Sequence, residues 1–391
     1  FLGSTAEQAP VALYISAFIP YVFALVAGGC IESLLVAGER PHWQAWLGLV
    51  AAIAQVGAAA LGMAWGLEPQ QVLGLFSAVG LVRLAFGYGL VRRMLSAGLW
   101  GDLGGLGALL AYAKPIAFND AVGALSRNVD KYVVLHFFSA AAFAEYHFGA
   151  VEVPISLLLA AVVSVLVPEV SLLYQQGKVA EIAALWHGAV SRLALVALPL
   201  FFFLVFFSDA FIAWYLPAEY VNSTWVFRIF LLALPLRCAV YNPLLVGMGK
   251  AQWALWGSVG DLVLNLLLSV VLVELLRNTW PQWAFMGPAM ATVISTYLQV
   301  LFLVAAIAGH LHWSWRRLLP WAVLGRLGFF SLAAAGAARW CGGQVEAAFG
   351  QLLFGGAIFV VFLAALLWSN RSQRRDLRGL ADAFWARGGG A

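Results

Sequence analysis

Apolar residues run along this chain in long uninterrupted blocks, with no alternation of period two. Leu193 to Phe207 and Leu352 to Trp368 show this most clearly, because neither block contains a charge. Crossing a bilayer takes about 20 consecutive apolar residues in a helix. The pattern predicts eleven spanning segments, near 11–32, 43–65, 70–91, 111–136, 141–170, 184–207, 224–247, 253–273, 284–308, 319–338 and 347–368. Continuous apolar runs specify helices; a barrel would alternate lipid-facing and lumen-facing residues. Several runs exceed the minimum, which allows tilt.

One stretch occurs twice. LLVAGERPHWQAW, residues 34–46, returns 210 residues later as LLVGMGKAQWALW, residues 244–256, with no gap. Leu34, Leu35, Val36, Trp43 and Trp46 recur as Leu244, Leu245, Val246, Trp253 and Trp256, and Arg40 recurs as Lys250. The repeat suggests a duplicated architecture.

Composition agrees with the pattern. The chain is 63% hydrophobic and 10% charged, where a soluble domain carries about 25% charged residues. Mean hydropathy is +0.90. Cys30, Cys238 and Cys341 have no CxxC spacing, so neither a zinc site nor a disulfide framework is indicated. No Walker-type phosphate loop is present, and neither ATP hydrolysis nor another enzyme activity is expected.

Charge sets the topology. One set of connecting segments, with the tail, holds thirteen Lys and Arg residues, among them Arg40, Arg92, Arg93, Lys178, Lys250, Arg316 and Arg317. The opposite set holds only Arg277 and Arg339. The first set is therefore expected in the cytoplasm, together with the C-terminus. Eleven crossings then place Phe1 outside, which suggests that N-terminal helices are missing from this sequence. The glycine-rich connection from Arg92 to Lys114 is the best domain boundary. In the tail, Leu377, Leu380, Ala381, Phe384 and Trp385 form one helical stripe among arginines, as in an interfacial helix.

The middle of the chain resembles a known family. AYAKPIAFNDAVGALSRNVDKYVV is followed by AEYHFGAVEVPISLLLAAVVSVLVPEVSLLYQQGK, and later by Asn242 to Lys250, NPLLVGMGK. Their order is similar to the second lobe of polysaccharide or O-antigen flippases, within the multidrug/oligosaccharidyl-lipid/polysaccharide exporter superfamily. The resemblance covers most of residues 10 to 310. It implies an all-α membrane protein of about eleven helices, in a two-lobe exporter fold with an incomplete first lobe. Residues 1–95 would be a partial N-lobe, equivalent to helices four to six, and 96–110 a cytoplasmic linker. Residues 111–312 would be the C-lobe, 313–368 two accessory helices, and 369–391 the basic tail. The repeated stretch would then be the same cytoplasmic loop in each lobe, and transporters of this kind rock two lobes about a central cavity.

The implied activity is export of a polyprenyl-pyrophosphate-linked oligosaccharide across a bacterial cytoplasmic membrane by alternating access. Cations within spans are costly, about 2.5–3.5 kcal/mol at the centre on insertion scales, and tend to mark a wet cavity. Arg83, Arg127 and Arg237 lie nearest the middle of their segments and could bind the pyrophosphate, since guanidinium matches phosphate with a rigid fork. Arg127 could equally pair with Asp130, three residues on. Lys131, Arg192 and Arg228 can snorkel to an interface. Asp130, Asp261, Asn265 and Thr292 match the types that hold Na⁺ in some lipid II flippases, so Na⁺ or H⁺ coupling is expected there. The alternative is that Asp261 and Asn265 serve helix packing. No other cofactor, metal or nucleic acid is expected; partners are the lipid-linked substrate, membrane lipids and assembly proteins. Lipid II flippases carry an Arg five residues before the equivalent of Pro154, whereas this chain has Gly149. That favours a polysaccharide-unit flippase over a lipid II flippase. The excess of cations within spans argues against a multidrug exporter, and the longest outer loop, about Ser208 to Ser223, holds neither Arg nor His, which argues against a membrane polymerase or ligase.

Overall fold

The computed structural model describes residues 5–37, 40–95, 107, 121–151, 153, 155–342, 345 and 347–369. The expected basic tail lies outside these residues, as does the expected linker apart from Gly107. Two compact units result, Phe1–Leu110 and Ala111–Ala391. Among the described residues no strand occurs, and nine helical stretches are long and apolar enough to cross a membrane.

The first unit contains α1 (Thr5–Ala37), α2 (Pro41–Ala64) and α3 (Pro69–Leu95). Pro41 and Pro69 open their helices, where a missing N–H leaves nothing unpaired. α3 packs along α1. The Ser77 hydroxyl donates to the Ala17 carbonyl at 2.6 Å, and the Gln55 amide donates to the Tyr21 hydroxyl at 3.3 Å. Gly87 permits close packing: a Cβ there would sit 2.9 Å from Ile31 Cγ2. Small residues at such contacts are how membrane helices approach without a hydrophobic drive. The outer surface is apolar, with Val26, Val56 and Phe86 at 67%, 71% and 67% exposure. In water each would forfeit about 25 cal/mol per Å² of apolar area; against lipid they are at home.

The second unit begins with a helical segment over 121–126, a turn at 127–128, and α4 (Val129–Phe137). Then come α5 (Ala140–Gly149), α6 (Ser156–Gln175), α7 (Val179–Tyr215), α8 (Ser223–Leu231), a 3-10 turn (Leu234–Cys238) and α9 (Tyr241–Gly247). α10 (Ala251–Thr279), α11 (Gly287–Leu311), the short α12 (Trp315–Leu318), α13 (Trp321–Gly342) and α14 (Ala348–Ser369) complete it. A core around Trp186, Leu244, Leu245 and Ile307 joins α6, α7, α9 and α11. α13 and α14 pack on each other and on α7, through Phe207, Ala334, Ala338 and Phe359.

Three expected spans are interrupted. The described part of 111–136 turns at Arg127 and Asn128. The span expected at 141–170 divides into α5 and α6. The sequence there reads AVEVPI, and proline disfavours helix in the residue before it. The span at 224–247 is α8, the 3-10 turn and α9 in series, with Ala239 extended at φ −132°, ψ 142°. Pro235 starts the 3-10 turn, and a proline at that point cannot continue the α-helical ladder.

The two copies of the repeated stretch fold alike. α1 ends at Ala37 and α9 at Gly247; α2 begins at Pro41 and α10 at Ala251. The Arg40 amide donates to Leu35 at 3.0 Å, as the Lys250 amide does to Leu245 at 2.8 Å. Trp43 and Trp253 donate to the carbonyls of Arg40 and Lys250, at 3.2 and 3.0 Å. Leu35 and Leu245 are both fully buried. In the second copy Gly249 supplies the left-handed residue, φ +71°, that lets the last helical carbonyl find its donor.

Candidate functional site

The break between α8 and α9 opens on a cavity of about 400 Å³ inside the second unit. Its wall combines the 126–131 segment, residues around the break, and the facing parts of α10 and α11. Arg127, Arg237, Asp130, Asp261, Asn265 and Thr292, six of the seven expected site residues, border this one space.

Local folding puts each there. Arg127 lies on the turn between two helical pieces, and its side chain is exposed. Arg237 is carried by the 3-10 turn, half-buried. Lys131 also lines the cavity; its ammonium donates to Asn128 Oδ1 at 3.3 Å. Asp130 is 3% exposed and accepts from the Tyr146 hydroxyl at 2.8 Å, so α5 fixes its carboxylate. Among the described residues Arg127 and Asp130 form no ion pair.

The other oxygens are tied between helices. Asp261 Oδ2 accepts from the Ser126 hydroxyl at 2.5 Å, joining α10 to the 121–126 segment. Among the described residues, Asp261 Oδ1 is buried without a hydrogen-bond donor. The Asn265 amide donates to Thr292 Oγ1 at 3.2 Å, and its oxygen accepts from Ser269 at 3.1 Å. Thr292 in turn donates to the Pro288 carbonyl at 2.9 Å. This string spans α10 and α11, and its buried polar atoms satisfy one another.

Arg83 is held differently. It belongs to the first unit, where its guanidinium donates to Glu32 across α3 and α1. Both side chains are largely buried, at 26% and 21% exposure, a setting in which an unpaired cation would be costly. The other cations expected at an interface include Arg228, which bonds Ser208 at 2.7 Å and Asp209 at 2.6 Å and lies over Trp225.

Sequence reasoning did not single out Ser126, Asn242, Thr296 or Gln299 as site residues, yet all four line the cavity. Asn242 carried a signal, since it opens the NPLLVGMGK motif. Among the described residues its Oδ1 is buried without a hydrogen-bond donor.

The described residues thus form a multi-pass helical assembly in which broken helices border a charged cavity and one helix–loop–helix occurs twice. Residues 45–224 match the family described as "Polysaccharide biosynthesis protein". The fold is similar to the solved structure titled "Lipid II flippase MurJ, inward closed conformation", with a TM-score of 0.72 at 14% identity, over 94% of this chain and 77% of that one. No curated protein sequence matches. The matched stretch is somewhat less than half of the chain. The chain shares the all-helical fold of that structure, with multiple helices long and apolar enough to cross a membrane.

Proposed function

We propose that this protein flips a polyprenyl-pyrophosphate-linked oligosaccharide, a repeat unit of O-antigen or exopolysaccharide, across a bacterial cytoplasmic membrane with its C-terminus inside. The observation that carries the reading is one cavity bordered by Arg127, Lys131 and Arg237. A pyrophosphate brings only hydrogen-bond acceptors and negative charge, and guanidinium groups answer both. The polyprenyl tail stays in lipid while the headgroup is held among these cations. Rocking of the lobes then exposes the cavity to the other side. The oxygens of Asp130, Asp261, Asn265 and Thr292 border the same cavity, and Na⁺ or H⁺ taken up there resets the transporter.

Gly149 favours a repeat-unit substrate over lipid II. A Cβ at this position would lie 2.6 Å from the Ser223 carbonyl oxygen and 2.7 Å from Val226 Cβ. α5 therefore sits directly on α8, and the arginine that lipid II flippases carry there has no room.

Replacing Arg127 and Arg237 together by Ala should abolish surface polysaccharide in cells that depend on this protein. Unchanged polymer output at normal expression would refute the headgroup role. Asp261→Asn should change the Na⁺ or pH dependence of flipping in vesicles, and an unaltered dependence would remove Asp261 from the coupling site.

A further inference from the structure

The repeat supplies an internal control for the cavity. Glu32 and Asn242 occupy the same register, 210 residues apart. In the first unit Glu32 is matched by Arg83. In the second, Asn242 stands in the first turn of α9, lines the cavity, and keeps a buried Oδ1 with no donor. Asp261 repeats the arrangement: one oxygen takes the Ser126 hydroxyl, and the other is buried and unmatched. Native proteins rarely leave such atoms unsatisfied, and an orphan lining a cavity points to a ligand that completes it.

Both orphans are acceptors, whereas phosphate offers acceptors only. The cations of the cavity suit the pyrophosphate; Asn242 and Asp261 need an O–H or N–H. The sugar joined to that pyrophosphate brings ring hydroxyls and, in N-acetylated hexoses, an amide N–H. We infer that Asn242 and Asp261 form the sugar-reading part of the cavity, accepting hydrogen bonds from the sugar next to the pyrophosphate. This rests on the flippase reading above and goes beyond it, by dividing one cavity into a phosphate-holding and a sugar-reading set. Sugar and coupling ion then contend for the same Asp261 oxygen, so each displaces the other at its own step of the cycle.

The test uses the purified full chain and two probes, farnesyl diphosphate and the same lipid carrying one N-acetylhexosamine on its pyrophosphate. Asn242→Leu should weaken binding of the glycosylated probe about tenfold, the scale of one lost hydrogen bond and its unmatched partner. Affinity for bare farnesyl diphosphate should not change. Where the Leu variant does not hold its fold, Asn242→Ala is read in the same way. Equal loss for both probes, or no loss for either, overturns the sugar-reading role and leaves the arginine site standing. Failure of the wild-type chain to bind farnesyl diphosphate overturns the flippase reading itself.

Discussion

The helix that leads into the repeated loop is continuous in one unit and broken in the other. In the first unit α1 runs for 33 residues without interruption. In the second, the matching stretch is α8, a 3-10 turn, an extended Ala239 and α9. The loops share two backbone hydrogen bonds, from Arg40 and Trp43 in one and from Lys250 and Trp253 in the other. What differs is the helix before them, and with it the fate of the polar group inside. An unbroken helix satisfies its own backbone and leaves only side chains to neutralise; there the Arg83 guanidinium meets Glu32, although its Nε stays buried without an acceptor among the described residues. A break lines a space with side chains that still need partners. The same supersecondary unit thus serves as closed packing in one place and as a cavity wall in the other.

Four experiments can break or sharpen this contrast. The largest effect is expected from Arg237→Ala, which removes the cation on the break. Charge-assisted hydrogen bonds are worth about 1.5–3 kcal/mol, so binding of a lipid pyrophosphate should fall about 10- to 100-fold, measured by titration calorimetry. Arg83→Leu in the first unit should act on stability instead. Stranding Glu32 costs roughly 3 kcal/mol in a buried setting, and adding Glu32→Leu should restore most of it. Recovery of both stability and transport in the double variant marks Arg83 as structural, whereas recovery of stability alone returns it to the substrate site. Pro235→Ala should reduce transport severalfold with a change in stability within about 1 kcal/mol, because it weakens the signal that stops α8. A vesicle flipping assay with a parallel thermal melt separates the two effects. Gly249→Ala is the smallest: forcing a Cβ onto φ +71° costs about 1 kcal/mol, seen as a few degrees in the melt with transport intact.

The sequence carried the helices well and their interruptions poorly. Leu193 to Phe207 could be nothing but a membrane helix, since no polar residue competes. The break at 233–240 was hidden, because ALPLRCAV is as apolar as the helix around it. Only Pro235 hinted at it, and prolines also lie inside α6 and α7, at Pro168 and Pro199, without ending them. The repeat was legible from Leu and Trp positions, since these side chains fix the loop. Arg127, Arg237 and Asp261 stood out as charges within apolar runs, and they share one cavity. Arg83 stood out for the same reason, but its partner lies 51 residues away on a helix whose neighbour no local pattern reveals. Asn242 was visible as the start of NPLLVGMGK but not as a site residue, because an uncharged amide costs little within an apolar run; its unmatched oxygen is what marks it.

Phe207 gives α7 a practical use. The backbone departs from helix there, φ −112°, ψ 15°, and the ring presses so closely on Gly355 of α14 that a Cβ would come within 2.4 Å. Gly342 of α13 meets the same ring and the Gly355 backbone. The accessory pair is thereby clamped at the bend in α7. A spin label on the lipid-facing side of α14, at Val360 or Val361, would ride with this clamp without touching the site. Distances from it to a second label on α10 would record any movement of the cavity wall during a transport cycle.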